Sequence, residues 1–390
     1  MFCARCVFGQ IMLTRLTLIL IILATAGPAA GETYMERLGR RALDWQKELP
    51  AIRDSAAEAA EKIMAGGKLY AAGPQPGFVS EIKWRAGGLM LMDSDPKSLT
   101  GMDIVIAATT ARDSAGLEEL LDAADKAGAT VILFANGFAP PAPLKRGKLR
   151  ILPVEPFAAD PRRVSVESMS NLVGAWGWTA EFIAACVERG KMPGIFQSFG
   201  MPGGRKRSEA LRECAFHGTS SVTPGDAKDL GLRFFQAVSD SLKTALAQNR
   251  AGFGKAAEMI MACRKAGGAV RISGIGHMFP AELRQPQAPD WFTHVSSPTN
   301  GADNDINVFL GYQVFPYELL NAAPGRRFVV TSSDPPPAEF TARPGNIYLD
   351  PCWEIRDACL RLKGYDVPVI PISGIMTTAI YWQLVENLVN

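Results

Sequence analysis

Gly66-Gly67-Lys68-Leu69-Tyr70-Ala71-Ala72-Gly73-Pro74-Gln75-Pro76-Gly77-Phe78-Val79-Ser80-Glu81-Ile82 aligns without a gap on Gly267-Gly268-Ala269-Val270-Arg271-Ile272-Ser273-Gly274-Ile275-Gly276-His277-Met278-Phe279-Pro280-Ala281-Glu282-Leu283. Each copy reads as Gly-Gly, a short apolar strand, a turn containing Gly, and a helix start marked by Glu followed by Ile or Leu. The copies lie much farther apart than the roughly 20–50 residues of a solenoid unit, so a duplicated domain is expected. A strand that leads through a Gly turn into a helix opens an α/β unit. Ligands of such folds sit at the carboxyl ends of the strands, which makes these two turns the first place to look for a site.

Outward from the first copy, helix is expected over Tyr34 to Ala65, interrupted at Pro50 and stopped by Gly66-Gly67. Buried-type strands follow at Asp103 to Ala108 and Thr130 to Ala135, with an amphipathic helix between them over Ala115 to Ala127. Such alternation argues for a parallel sheet with crossover helices. Residues 136–163 read as a Pro-rich loop with a short strand at Leu149 to Val154, and Leu172 to Glu188 as a long helix. Residues 200–207 read as a Gly/Pro loop, and its basic run Arg205-Lys206-Arg207 as a solvated stretch. Asp226 to Ala262 is expected to be helical and to lead into the second copy. There, residues 285–307 read as loop and Arg327 to Thr331 as the strand matching Asp103 to Ala108. Ser332-Ser333-Asp334-Pro335-Pro336-Pro337 is its exit, where prolines replace the next helix. Strand at Asn346 to Asp350, helix at Glu354 to Leu362, strand at Val367 to Ile372 and helix at Ile375 to Leu388 complete the expectation. The reading is a leader over 1–31, a first domain over 32–220 and a trimmed second domain over 221–390.

The chain has 390 residues, 47% apolar and 21% charged, which supplies two ordinary globular cores. Lys+Arg 41 against Asp+Glu 39 gives no support to a nucleic-acid partner. Met12-Leu13-Thr14-Arg15, the apolar run Leu16 to Ala24 and the small residues Thr25 to Gly31 form the pattern of a secretory signal, with Met12 as an alternative start. The run is shorter than the about 20 apolar residues of a membrane span. A secreted or periplasmic protein without a stable span after cleavage is therefore expected, with a retained anchor as the lesser alternative. Of seven Cys, Cys3 and Cys6 fall in the leader, and the five others are too widely spaced for a disulfide scaffold. With three His and no His/Cys pair at ligand spacing, no metal and no cofactor are expected.

Several pieces in order resemble the SIS (sugar isomerase) family. They are Ser273-Gly274-Ile275-Gly276-His277 with Ala281-Glu282-Leu283, and Ser80-Glu81-Ile82-Lys83-Trp84-Arg85-Ala86-Gly87-Gly88-Leu89. Gly101-Met102-Asp103, Lys126 to Ile132 and Gly190-Lys191-Met192-Pro193-Gly194-Ile195-Phe196-Gln197-Ser198 complete the set. The resemblance covers most of residues 56–210 and, more weakly, 255–390, and is closest to an uncharacterised branch. It implies two tandem flavodoxin-like α/β domains, the second degenerate. It also implies a sugar or sugar-phosphate ligand held at a Ser/Thr-rich turn, where convergent donors beside a helix N-terminus suit an anion. Thr109-Thr110-Ala111-Arg112-Asp113-Ser114 and Thr331-Ser332-Ser333-Asp334 stand for that turn here. Both lack the family's Gly, and Asp113 would repel an anion.

Aldose–ketose isomerisation needs a base and a ring-opening partner. The resemblance puts Glu81 and Glu282 at the base position, and His277 shares the turn with Glu282. His217 is a weaker candidate, and His294 is expected to pack. Gly274 and Gly276 can offer N–H donors that Pro74 and Pro76 remove from the first copy. Thr109, Thr110 and Ser114 in the first half and Ser332 and Ser333 in the second are the remaining ligand-binding candidates. A composite site between the halves follows. Two functions stay open: an exported sugar-derivative binder with isomerase activity, and a non-catalytic sugar-binding or regulatory module. A homo-oligomer is left open as well.

Overall fold

A computed structural model describes residues 31–94, 96–111, 113–136, 149–152, 166–199, 201–212, 214–285, 290–296, 301–311, 315–318, 325–353 and 357–389. The expected leader and Arg112 lie outside them. The first described element is helix α1 (Tyr34–Asp44), whose N-terminus is closed by a capping box between Thr33 and Glu36. A 3-10 turn (Trp45–Glu48) joins it to α2 (Leu49–Met64), where Pro50 sits in the first turn and is tolerated.

The first sheet contains β1 (Leu69–Ala72), β2 (Met92–Asp93), β3 (Ile104–Ala108), β4 (Thr130–Phe134) and β5 (Leu149–Leu152), all parallel in the order β2-β1-β3-β4-β5. The short α3 (Phe78–Ile82) follows β1, and α4 (Leu117–Ala127) covers the outer face. Then come α5 (Glu167–Glu188), α6 (Gly204–Ala210) and the long α7 (Leu230–Lys265). Arg205-Lys206-Arg207, expected in a loop, lies in α6.

The second sheet contains β6 (Val270–Ile275), β7 (Thr293–His294), β8 (Ile306–Gly311), β9 (Arg327–Thr331) and β10 (Ile347–Tyr348), again parallel, in the order β10-β9-β8-β6-β7. Counted from its own first strand, this is the same order as in the first sheet. The short α8 (Phe279–Glu282) follows β6, and α9 (Ala338–Ala342) follows β9. An antiparallel pair, β11 (Ala358–Leu360) and β12 (Val369–Pro371), leads into α10 (Ser373–Val389). No helix among the described residues is long and apolar enough to cross a membrane.

Three expectations are corrected. The helix over Glu354 to Leu362 is instead a strand at Ala358–Leu360, because pairing with β12 and burial override local helix preference. The loop expected through residue 307 ends in β8, a central, fully buried strand. The counterpart of β3 is therefore β8 and not β9: Leu69 pairs Ile104 as Val270 pairs Ile306. Ser332 and Ser333 consequently lie at the end of the strand that matches β4. Two aspartates mark the correct alignment. Asp103 accepts from Lys68 N (2.8 Å) and Thr100 N (2.7 Å), and Asp305 accepts from Ala269 N and Ala302 N (2.9 Å each). Each ties the foot of one strand to the foot of the next.

The strands alternate between two cores. Leu69, Ala71, Ile104, Ile106 and Ala108 face an interior shared with Val270, Ile272, Ile306, Val308 and Leu310 of the other sheet. Tyr70, Val105 and Ala107 face α4. On the second sheet's outer face the corresponding layer is an aromatic cluster of Phe309, Phe315, Phe328 and Phe340, the last supplied by the short α9. Pro335, Pro336 and Pro337 follow β9, the counterpart of β4, so they do not replace the helix that follows β3, contrary to the expectation. Helix α5 runs through the shared core, buried along nearly its whole length. Glycines at 174 and 177 make room there, since a Cβ would enter the rings of Trp45 and Phe235 respectively. Helix α1 crosses to the second half, where Arg37 forms a buried ion pair with Glu386 of α10.

Candidate functional site

In both sheets the chain departs in opposite directions after the first strand, so the crevice of a doubly wound fold falls between β1 and β3, and between β6 and β8. Gly73 and Gly274 stand at these points. A Cβ on Gly73 would lie 2.8 Å from Ala108 N, and one on Gly274 would lie 2.7 Å from Leu310 O and collide with the Phe279 ring. Both glycines are thus required by close approach of neighbouring chain. Gly276 is half-buried, and a Cβ there would lie 3.2 Å from that of Phe279.

The two turns meet each other. Gly77 has φ 76°, and a Cβ there would lie 3.1 Å from Cα of Met278, its counterpart in the second copy. The local two-fold relation between the halves passes through this contact. Around it the two expected bases are exchanged between halves. Glu81, 1% exposed, accepts from Met278 N at 2.9 Å and lies 3.2 Å from Arg85 Nε. Its other oxygen faces Gly374 in the first turn of α10, where a Cβ would displace it. That position favours a carboxylate through the helix dipole. Glu282, 2% exposed, accepts from Ser168 Oγ (3.1 Å) in the first turn of α5 and from Trp382 Nε1 (2.8 Å) of α10. Glu81 of the first half therefore reaches the start of α10, and Glu282 of the second half the start of α5.

Arg85 continues the network. It donates to Ser373 Oγ (2.5 Å), which donates to Asp357 Oδ1 (2.9 Å), and Asp357 lies 4.0 Å from the guanidinium. His277 borders this cluster half-buried: Nδ1–H donates to Ser80 O at 2.8 Å, and Ser80 Oγ donates back to His277 O at 3.1 Å. Burial, and then the Arg85 charge, hold the imidazole below its ordinary pKa. The structure brings together His277, Glu81, Arg85, Asp357 and Ser373. Glu282 lies on the other side of the two-fold contact.

The hydroxyl-rich turn after β3 is closed on itself. Thr109 Oγ1 donates to Asp113 O (2.8 Å), and Thr110 Oγ1 donates to Asp113 Oδ2 (3.0 Å). Thr109 and Thr110 are fully buried, and Ser114 is half-buried. Amides bridge the crevice beside them. Asn171 Nδ2 donates to Gln75 Oε1 (2.8 Å) and Thr109 O (2.7 Å), and Gln75 Nε2 donates to Ser168 O (2.9 Å). In the second half Ser332 Oγ contacts Tyr317 Oη (3.2 Å) and donates to Asp334 O (2.9 Å), while Ser333 is half-buried. Neither threonine nor Ser332 is bonded to the glutamates or His277 in the contacts above.

His217 pairs with Tyr365 at 2.9 Å, and His294 is exposed on β7 rather than packed. Among the described residues no cluster of His, Cys, Asp or Glu could hold a metal ion. Sequence reading missed Arg85, Ser168, Gln75, Asn171, Asp357 and Ser373. Only Arg85 carried a local signal, four residues after Glu81, where a continued helix would set the two on one face; α3 instead ends at Ile82.

The comparisons agree with this architecture. The C-terminal domain of glucosamine-fructose-6-phosphate aminotransferase from Francisella tularensis superposes with a TM-score of 0.51 at 12% identity, covering 93% of this chain and 97% of that one. A Salmonella typhimurium LT2 protein, provisionally described as sugar-binding, gives 0.51 at 12% identity over 91% of this chain and 98% of its own. The fold is that of the tandem SIS domains. No family model and no curated protein matches the sequence. At these identities the likeness concerns the fold, and function rests on the residues.

Proposed function

We propose that this chain is an exported carbohydrate-derivative binding protein of SIS fold, in which Glu81 and Glu282 join the two halves instead of serving as isomerase bases. The observation that carries the reading is the burial of both carboxylates, each hydrogen-bonded across the interface. A base must reach the carbon-bound proton it removes, and a buried carboxylate bonded to the opposite half has no path to one. The sugar ligand is supported by the descriptions of the neighbours, sugar binding among them. The Asp113 carboxylate on Thr110 favours an unphosphorylated ligand at the first-half turn, since an added phosphate would meet like charge.

Thermal-shift titration against sugars and sugar phosphates tests binding. A ligand at about 100 Kd adds roughly 2.7 kcal/mol to stability. An isomerase assay on the same ligands is expected to show no interconversion. Turnover abolished by Glu81→Gln or Glu282→Gln would reverse the reading in favour of the isomerase. That second reading draws on His277, which is half-buried beside the cluster and held neutral near pH 7. Export rests on the sequence from Met12 to Gly31. Fractionation with N-terminal sequencing of the mature chain is expected to find it outside the cytoplasm, starting at Gly27 or Glu32.

A further inference from the structure

We infer that Trp84 is a stacking platform for a pyranose ring, a contact that rests on the sugar-binding reading above and gives it a location. Trp45, Trp176, Trp178 and Trp382 are fully buried, and Trp291 and Trp353 are half-buried. Trp84 is 54% exposed. Its backbone is also left-handed, at φ 57°, where a side chain strains and glycine would not. The chain thus keeps its largest apolar side chain in water, at a position whose backbone favours having no side chain. Strain of this kind persists where the surroundings impose it and is characteristic of binding sites.

The surroundings are specific. Helix α3 ends at Ile82, and Glu81 and Arg85 turn inward to the interface cluster, so the ring between them points outward. Lys83 Nζ lies over the ring, 4.8 Å from its centroid. That ammonium is held by Asp93 Oδ1 (3.0 Å) and Ser94 Oγ (2.8 Å). One face of the indole is therefore covered by an anchored cation, which leaves the other face for a ligand. An indole face carries negative potential and attracts the polarised C–H groups on the flat side of a sugar ring. Asp93 also accepts from Ser94 N, so the carboxylate that anchors the lysine is itself fixed. An exposed aromatic plate held from behind fits the apolar face of a sugar ring.

The test compares full-length wild type with Trp84→Gly and Trp84→Phe. Glucose, glucosamine, N-acetylglucosamine and glucose 6-phosphate are titrated by calorimetry and by protection of tryptophan emission from acrylamide quenching. In wild type, a bound sugar is expected to shield the accessible emission. Trp84→Gly should weaken the same sugar about tenfold or more, with Trp84→Phe in between. The melting temperature of Trp84→Gly should equal or exceed that of wild type, because glycine relieves the left-handed strain. Wild-type affinity in Trp84→Gly would overturn the platform and leave the sugar-binding reading standing. Failure of every sugar to bind wild type would overturn both. A self-association of wild type that Trp84→Gly abolishes, without a change in sugar affinity, would assign the ring to a contact between copies and also refute the platform.

Discussion

Replacing Glu81 by Ala separates a carboxylate that joins the halves from one that does chemistry. In the structure the change removes the acceptor of Met278 N–H, buried at 2.9 Å, and the charge 3.2 Å from Arg85 Nε. Arg85 is then left 2% exposed with the Ser373 hydroxyl and Asp357 at 4.0 Å. Removing one member of a buried pair costs about 3–5 kcal/mol, because the remaining charge stays desolvated. Because both halves share one core, the whole chain is the cooperative unit, and at about 2.1 cal/mol/K of unfolding entropy per residue this corresponds to a melting-temperature loss of roughly 4–7 °C. Glu81→Gln, which keeps an acceptor for Met278 N–H, should lose less. The double change Glu81→Leu with Arg85→Met should recover much of the loss, since the desolvated guanidinium goes with its carboxylate. Thermal and urea melts of wild type, Glu81→Leu, Arg85→Met and the double variant give the coupling between the two positions. An alanine variant melting within about 1 °C of wild type would refute the argument that Glu81 holds the halves together.

Gly77→Ala should destabilise by about 1–3 kcal/mol, read by the same melts, because the new Cβ sits at φ 76° and 2.9 Å from that of Ala281. Asp305 has its pKa lowered: burial works against ionisation, but hydrogen bonds from Ala269 N, Ala302 N and Arg271, with the Arg271 charge, outweigh it. A lowered folded pKa gives stability above the unfolded value and loses it as pH falls through the folded one. The gap between wild type and Asp305→Asn should therefore shrink on acidification below about pH 4. His277 is also depressed, by burial and then by Arg85. Its neutral form contributes stability above about pH 6.5 that is lost on acidification, and His277→Asn should flatten the stability profile between about pH 7 and pH 5. Burial pushes the Cys186 and Cys352 thiols up to about 12, while Cys214 is exposed. A thiol reagent at pH 8 should modify Cys214 fastest, checked by mass mapping.

The elements that carry strong local patterns were legible in the sequence. Strands β1, β3 and β4 and helices α4 and α5 fall where apolar runs, Gly stops and amphipathic spacing place them. The misses share one cause. Ile306–Gly311 has an Asn inside its apolar run, and only its neighbours β6 and β9 make it a strand. Ala358–Leu360 sits in a helix-friendly stretch, and its partner lies beyond a turn at Val369–Pro371. Pairing of this kind is decided by residues distant in sequence. Because β8 was missed, the second half's turn was placed one strand late, at Ser332 and Ser333. Asp103 with Ile104 and Asp305 with Ile306 carried the correct alignment in plain view.

By itself, the sequence determined that the chain holds two α/β halves built on one plan, because close backbone approach demands Gly at Gly73 and Gly274 and leaves a readable repeat. It also named Glu81, Glu282 and His277 as residues to follow. What those residues touch was decided by tertiary structure alone. Glu81 meets the start of α10 and Glu282 the start of α5, contacts made between residues far apart in the chain. A carboxylate at a helix start reads the same in sequence whether it faces a cleft or the opposite half of the protein. Only the packing of the halves against each other, through Gly77 and Met278, sets which of the two it does.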